Sequence, residues 1–304
     1  MNNIKIVTVG MCVKNGEKHV GNAINSILTQ NYPSDKLEII YVDDGSTDNT
    51  VEVIKSHMKN SNIDYKLIEV EWGGTGPARN IIAKKASGKY ILWVDSDNVM
   101  EKDYIKSIVK YIESNDEIGI VSGMVDVLDK KNVLLYLELL PTIIRRLQDM
   151  VLKKFDPTRL PGTACSIYRT KALRSIGGFD VSITGAGEDQ DAAWRMYIEG
   201  WKIHFINSKF YETHANLYNW KELLVRYFWH GKTSNILYKK GKNPFKIYKM
   251  TPPSAFISGV LIVIPTYKLI HKNWVFLLPI HSMLKQFAWC YGFLMAQIKD
   301  TENR

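Results

Sequence analysis

Three short acidic segments hold most of the side chains in this sequence that could do chemistry. The first is Asp43-Asp44-Gly45-Ser46-Thr47-Asp48, directly after the apolar run Glu38–Val42. Carboxylates at a strand end accept hydrogen bonds from N–H and O–H groups, such as a base edge or ribose hydroxyls. The same residues also make a strand-to-helix turn in which Asp48 or Asn49 caps the helix. The second segment is Asp95-Ser96-Asp97, after Ile91-Leu92-Trp93-Val94. Its two carboxylates suit a hard divalent cation whose shell is completed by diphosphate oxygens, although such a motif alone is more often a solvated turn. The third is Gly187-Glu188-Asp189-Gln190-Asp191. Acids at a helix start favour the dipole, yet three together repel unless a metal or a substrate hydroxyl engages them. A fourth segment, Leu224–Lys232, mixes aromatic side chains with Arg226 and Lys232. It reads either as an acceptor or diphosphate contact or as an amphipathic surface helix.

The elements that must position these residues alternate in type. Ile4–Val9 reads as a buried strand, and Val20, Ala23, Ile24, Ile27 and Leu28 follow at helical spacing. Glu38–Val42 is the next strand, and Val51, Ile54 and Met58 mark a helix behind it. Tyr65–Val70 is a strand, Pro77 opens a helix through Ala86, and Lys89–Val94 is another strand. This order predicts a mainly parallel α/β sheet flanked by helices, in which ligands bind beyond the carboxyl ends of the strands. The first two acidic segments both lie at such ends, so one crevice can receive both. Beyond residue 100 the reading is a helix Tyr104–Ile112, an extended run Ile118–Leu128 and a helix Val133–Leu152 broken or kinked at Pro141. A helix from Glu188, two extended runs (Trp201–Ile206 and Lys209–His214) and a helix Asn219–Lys240 follow.

Bulk composition narrows the classes. The 304 residues are 45% hydrophobic and 23% charged, enough for a full α/β core, and carry a formal net charge of +9. That balance fits anionic partners such as nucleotide diphosphates or lipid phosphates, or simply solubility; no nucleic-acid-binding motif is present. Cys12, Cys165 and Cys290 lie far apart, which argues against a disulfide framework or structural zinc site. The opening MNNIKIVTVG runs straight into a strand and reads as no secretory signal.

Taken in order, the motifs resemble family 2 glycosyltransferases of the GT-A fold. The resemblance is carried by Asn15-Gly16-Glu17, Ser26–Pro33, Asp43–Thr50, Ala78-Arg79-Asn80, Asp95-Ser96-Asp97, Gly177-Gly178-Phe179-Asp180 and Glu188-Asp189 with Trp194-Arg195. It covers roughly the first 215 residues and implies a catalytic domain over residues 1–218; the tail lies outside it, and the composition of 219–304 reads as a helical, membrane-associating or packing region. It implies nucleotide contacts from Val13, Asp43, Asp44, Arg79 and Asp95, metal ligation by Asp97 with His214, and Asp189 as catalytic base. Cys12 and Lys14 stand where the family has Pro and Tyr. The activity implied is transfer of one sugar, with inversion, from a nucleotide diphosphate-sugar to an acceptor hydroxyl with Mg2+ or Mn2+ as cofactor. The Gln-x-x-Arg-Trp motif of processive members is absent near residues 224–232.

Rival readings are a nucleotidyltransferase, for which a Gly-rich loop after the first strand is missing, and a non-catalytic nucleotide-sugar-binding protein. A dehydrogenase is excluded because Arg79 holds the third glycine position after Gly74-Thr75-Gly76. The tail has three apolar stretches, Pro252–Tyr267, Asn273–Leu284 and Gln286–Ile298, with lysines before and between them, Lys285 included. They suit helices in or on the cytoplasmic leaflet, with lysines at anionic headgroups and a lipid-linked saccharide or polyprenyl-phosphate as acceptor. A hairpin packed on the catalytic domain or on a second subunit is the alternative.

Overall fold

The computed structural model describes residues 6–127, 133–152, 155, 160–183, 187–212, 219–239 and 250–302. The chain forms two compact units. One comprises residues 1–126, 159–184 and 188–213, and the other 127–158, 185–187 and 214–304.

The first unit is a mixed eight-stranded sheet. Strands β1 (Val7–Val13), β2 (Leu37–Asp44), β3 (Asp64–Val70) and β4 (Tyr90–Trp93) pair in parallel, with β3 at the edge. Burial on both faces explains the unbroken apolar runs in β1 and β2, whereas the edge strand β3 exposes Asp64, Tyr65, Lys66 and Glu69. Helices α1 (Val20–Leu28), α2 (Thr50–Met58) and α3 (Thr75–Lys85) connect these strands. The chain then changes direction. β5 (Asn98–Met100), α4 (Tyr104–Glu113), β6 (Ile118–Val127), β7 (Ser166–Arg169), α6 (Thr170–Ser175), α7 (Glu188–Ile198) and β8 (Lys202–Glu212) complete the unit; helix α5 (Val133–Leu152) lies between β6 and β7 in the chain. β4 pairs with β7, β7 with β6 and β5 with β8, all antiparallel. The two extended runs read after residue 200 are joined as one strand, β8, over residues 202–212; the end of the second run, 213–214, lies outside the described residues.

Among the described residues the second unit packs the α-helices α5 (Val133–Leu152), α8 (Trp220–Lys239), α9 (Pro252–Ile270) and α10 (Leu278–Glu302). α5 runs through Pro141 without a break. The helix α5 therefore belongs with the tail helices rather than with the sheet. From Leu278 onward the last two apolar stretches are one helix, α10, with Lys285 inside it; Asn273–Leu277 is a short 3-10 turn before it. Leu137, Ile262, Val263, Val275 and Leu278 form a buried cluster. α8 and α10 run side by side in the same direction, from Trp220 against His281 to Tyr238 against Phe293. Gly231 abuts the Trp289 carbonyl and Gly292 the Phe228 carbonyl, so a Cβ at either position would collide with backbone.

Lys285 does not face an exterior headgroup, as its place between two apolar stretches had suggested. It is buried and donates to Glu138 Oε2 at 2.6 Å, while the Tyr227 hydroxyl donates to Glu138 Oε1 at 2.6 Å. Burial alone would raise the Glu138 carboxyl, but the Lys285 ammonium and the donors from Lys285 and Tyr227 outweigh it and hold the group down to about 2. His281 is also pushed down, to about 3, first by burial and then by Lys285, so it stays neutral.

A carboxyl held below its unfolded value stabilises the fold above that value and loses the contribution as pH falls through the depressed one. The thermal midpoint should therefore drop between about pH 5 and pH 2 partly through Glu138. Glu138→Ala should cost about 3–5 kcal/mol by stranding Lys285. Glu138→Gln/Lys285→Met should recover much of that loss and flatten the acid limb. Calorimetry across pH checks both; an unchanged acid limb in the double variant contradicts the assignment.

Candidate active site

The strand register brings the sequence motifs to one end of the sheet. Val13 pairs beside Asp43, and Asp44 beside Val70, at the carboxyl ends of β1, β2 and β3. β4 ends next to β1, where Val94 N–H donates to the Gly10 carbonyl at 3.0 Å, and Asp95-Ser96-Asp97 follows. Gly16 lies close enough that an added Cβ would be 3.4 Å from Ser96 Oγ. The first two acidic motifs thus share one cleft.

The Asp43–Thr50 segment is tied to the loop after β1. Asn15, at a φ of +51°, donates from its N–H to Ser46 Oγ at 2.9 Å and accepts from Thr47 N–H at 2.8 Å. Gly16 N–H reaches Thr50 Oγ1 at 2.8 Å, and Glu17 accepts from Asn49 N–H at 3.1 Å. Asp48 accepts the Thr50 N–H at 3.1 Å and the Glu17 N–H at 3.2 Å, so it joins two loops as well as opening a helix. Asp43, buried, accepts from Ser46 N–H at 3.0 Å and from the Ser46 hydroxyl. Asp44 takes the Gly73 and Gly74 N–H groups, one on each oxygen, at 2.8 and 3.0 Å. It thereby fixes the loop that starts α3. Both carboxylates keep lone pairs for a further donor.

That loop exposes a residue the motif reading passed over. Trp72 is 71% exposed, its backbone N lies 3.1 Å from where a Gly45 Cβ would sit, and Lys14 Nζ lies 4.6 Å from its ring centroid. A bulky aromatic in an otherwise small loop, Glu71-Trp72-Gly73-Gly74, was its only sequence signal.

Arg79 joins the second and third acidic motifs. It is buried, donates to Glu188 Oε1, and holds Asp95 Oδ1 3.6 Å away. Thr75 Oγ1 also donates to Glu188, at 2.8 Å. Burial and then Asp189 push Glu188 upward, against the pull of Arg79. Asn80 is a packing residue: its amide makes two 2.8 Å bonds to the Phe179 backbone. Burial pushes the Cys12 thiol up to about 12, so it stays protonated.

The three acids at the start of α7 have different partners. Glu188 binds Arg79. Asp191 pairs with Arg195 at 2.7 Å, and Arg195 in turn donates to the Ile176 and Gly178 carbonyls. Asp189 accepts backbone N–H groups, from Thr163 at 3.3 Å and Gln190 at 2.7 Å. Gly162 adjoins it so closely that an added Cβ would be 2.9 Å from Asp189 Oδ2.

The Asp95 carboxyl is pushed up to about 6: burial raises it most, Arg79 opposes, and Asp97, Asp189 and Glu212 raise it further. Its side chain is 43% exposed, so solvent moderates the effect. Asp97 accepts from Asn98 Nδ2 at 3.1 Å. No cluster of three His, Cys, Asp or Glu side chains suited to a metal occurs among the described residues, and His214 lies outside them. Asp95 and Asp97 nonetheless fit a hard divalent cation: they offer oxygen donors two residues apart, and a bound cation would offset both the burial of Asp95 and the repulsion from its neighbouring carboxylates.

Arg79→Met should lower stability by about 3 kcal/mol, because Glu188 is left buried and unpaired. Adding Glu188→Gln should restore part of the loss, a coupling that a double-mutant cycle by thermal unfolding reads directly. Additive losses would show that the pair is not the source.

Comparison with known proteins agrees with this geometry. The model of the family "Glycosyl transferase family 2" matches residues 8–177, more than half of the chain. Poly(ribitol-phosphate) beta-N-acetylglucosaminyltransferase TarS of Staphylococcus aureus is 27% identical over 199 residues, 65% of this chain and 33% of TarS. The chain thus spans about a third of the length of that relative. The mannosyltransferase PcManGT from Pyrobaculum calidifontis, solved with GDP-Man and Mn2+, superposes with a TM-score of 0.70 at 16% identity, covering 96% of this chain and 87% of that one. TarS 1-349 with UDP-GlcNAc gives 0.55 at 17% identity, covering 97% and 92%. The chain belongs to glycosyl transferase family 2 and is built on its GT-A fold.

Proposed function

We propose that this chain is an inverting glycosyltransferase that moves a single sugar from a nucleotide diphosphate-sugar to an acceptor hydroxyl, with Asp189 as general base. One observation carries the reading. Of the three acids that open α7, Glu188 and Asp191 are tied to arginines, while Asp189 is held by backbone N–H groups and neighbours Asp95 closely enough to raise it. An acceptor hydroxyl is a weak nucleophile, and a carboxylate within hydrogen-bond reach must take its proton as the C–O bond forms.

Val13 gives the base an apolar neighbour, and Asp43 and Asp44 offer their remaining lone pairs to its N–H and to ribose hydroxyls. Arg79 orients Asp95 beside the diphosphate. Asp97, with Asp95 and His214, would hold Mg2+ or Mn2+, which when bound stabilises charge on the leaving diphosphate. Attack opposite the diphosphate inverts the anomeric centre, so no carboxylate nucleophile is needed. The nucleotide-sugars held by the two structural neighbours, UDP-GlcNAc and GDP-Man, are the first donors to test. The acceptor on this reading is lipid-linked, a saccharide or polyprenyl-phosphate, and the protein works on the cytoplasmic face of the membrane. The charge-free apolar stretches of the tail support that part of the proposal.

Asp189→Asn should keep donor binding yet lose transfer by ~10²-fold or more. A fully active Asp189→Asn beside a dead Asp191→Asn would identify the wrong acid here. Asp97→Ala should lose metal-dependent donor binding with an unchanged melting profile; NMR of the product should show inverted configuration.

A further inference from the structure

The helical unit arranges its charges asymmetrically. From Pro252 to Ile298 the sequence contains no Asp or Glu, and its lysines are Lys268, Lys272 and Lys285. Lys285 is buried against Glu138, so the exposed side of α10 through Ile298 is uncharged. That side shows Ile280, Leu284, Phe287, Tyr291 and Leu294, continuing from Leu277 just before the helix, each 37–60% exposed and spaced alternately by three and four residues. α9 shows Ile257, Leu261 and Ile264, 59–72% exposed. Apolar surface of this extent marks an interaction site.

α9 is long and apolar enough to cross a bilayer by itself. Its packing speaks against that. α9 and α10 form an antiparallel hairpin, in which Gly259 abuts Pro279 and Gln286 Nε2 donates to the Met250 carbonyl at 2.6 Å. α10 is in turn locked along α8 at Gly231 and Gly292, with Asn235 Nδ2 donating to the Phe293 carbonyl at 3.2 Å. α8 exposes Lys221, Glu222 and Arg226 near its start and Lys239 at its end, beside Trp220, Val225, Trp229 and Tyr238, and carries a half-buried Lys232 between them. A helix so charged does not enter hydrocarbon, and a helix held against it cannot cross without it.

Building on the membrane association proposed above, we infer that the helical unit is monotopic. It lies in the plane of an anionic bilayer, with the outer faces of α9 and α10 in the acyl boundary and the charged residues of α8 in water. Exposed Lys268, His271 and Lys272, at the turn between α9 and α10, meet the anionic headgroups. Charge complementarity selects the lipid surface as the occupant: from Pro252 to Ile298 the hairpin offers cations, no anions and an uncharged apolar flank.

Flotation of the full chain with phosphatidylglycerol and with phosphatidylcholine vesicles tests this. The protein should float with the anionic vesicles, about thirtyfold less with the zwitterionic ones, as about 1 kcal/mol from each of two exposed lysines implies. Alkaline carbonate should release it. Leu261→Glu, and separately Phe287→Glu/Leu294→Glu, should reduce flotation while UDP still raises the melting temperature. Lys268→Ser/Lys272→Ser, which leaves the packing untouched, should remove only the preference for anionic lipid. Binding that resists carbonate overturns the in-plane geometry but leaves membrane association standing. Failure to float, with a lipid-free dimer that Phe287→Glu dissociates, overturns both and assigns the α10 stripe to a second copy.

Discussion

The carboxyl end of the sheet depends on one buried guanidinium. Arg79 stands between Glu188 and Asp95, the first in the third acidic motif and the second at the end of β4. Like charges a few ångströms apart in a partly dry cleft repel by several kcal/mol, so such a concentration of acids is not self-supporting. Arg79 answers this at the centre. It draws Glu188 into the fold, and with it the start of α7, leaving the next residue, Asp189, to be held by N–H groups of Thr163 and Gln190. Although burial works against its charge, Glu188, Asp95 and Asp189 raise its pKa, so the guanidinium stays charged.

The other carboxylates are stabilised locally. Asp43 closes its own turn on Ser46, and Asp44 holds the Gly73-Gly74 backbone. These bonds fix the walls of the cleft before any ligand arrives, which is the condition under which electrostatic catalysis is effective. Gly162 belongs to the same logic. A side chain there would meet Asp189 Oδ2 at 2.9 Å, so only glycine lets that loop donate its next N–H to the carboxylate undisturbed.

The order of strands and helices up to β4 was legible because buried parallel strands and amphipathic helices impose different periods on the sequence. The acidic motifs were legible because they follow strand ends directly. Their partners were not. Asp44 bonds to residues 29 and 30 positions away, Arg79 to a residue 109 positions away, and no local pattern encodes either. Trp72 was passed over because its exposure, not its type, is the informative property. Residues Trp201–Ile206 and Lys209–His214 read as two extended runs because the polar Asn207-Ser208 pair resembles a turn; strand pairing carries β8 straight through it.

Lys285 is the clearest case in which composition misled. A lysine between two apolar stretches reads as a boundary, yet its partner Glu138 lies 147 residues earlier, on α5. A buried ion pair is weak evidence for stability, since desolvating both charges offsets most of their attraction. Its effect here is better sought in specificity. Glu138 takes donors from Tyr227 on α8 and Lys285 on α10, so one carboxylate sets three helices in register. The same contact keeps the ammonium off the outer side of α10. A neutral residue at 285 could leave that side equally apolar, but it would not fix the rotation of α10 that turns the Ile280–Leu294 stripe outward. The pairing of Glu138 with Lys285 thus accounts for both the packing of the unit and the uninterrupted apolar face it presents.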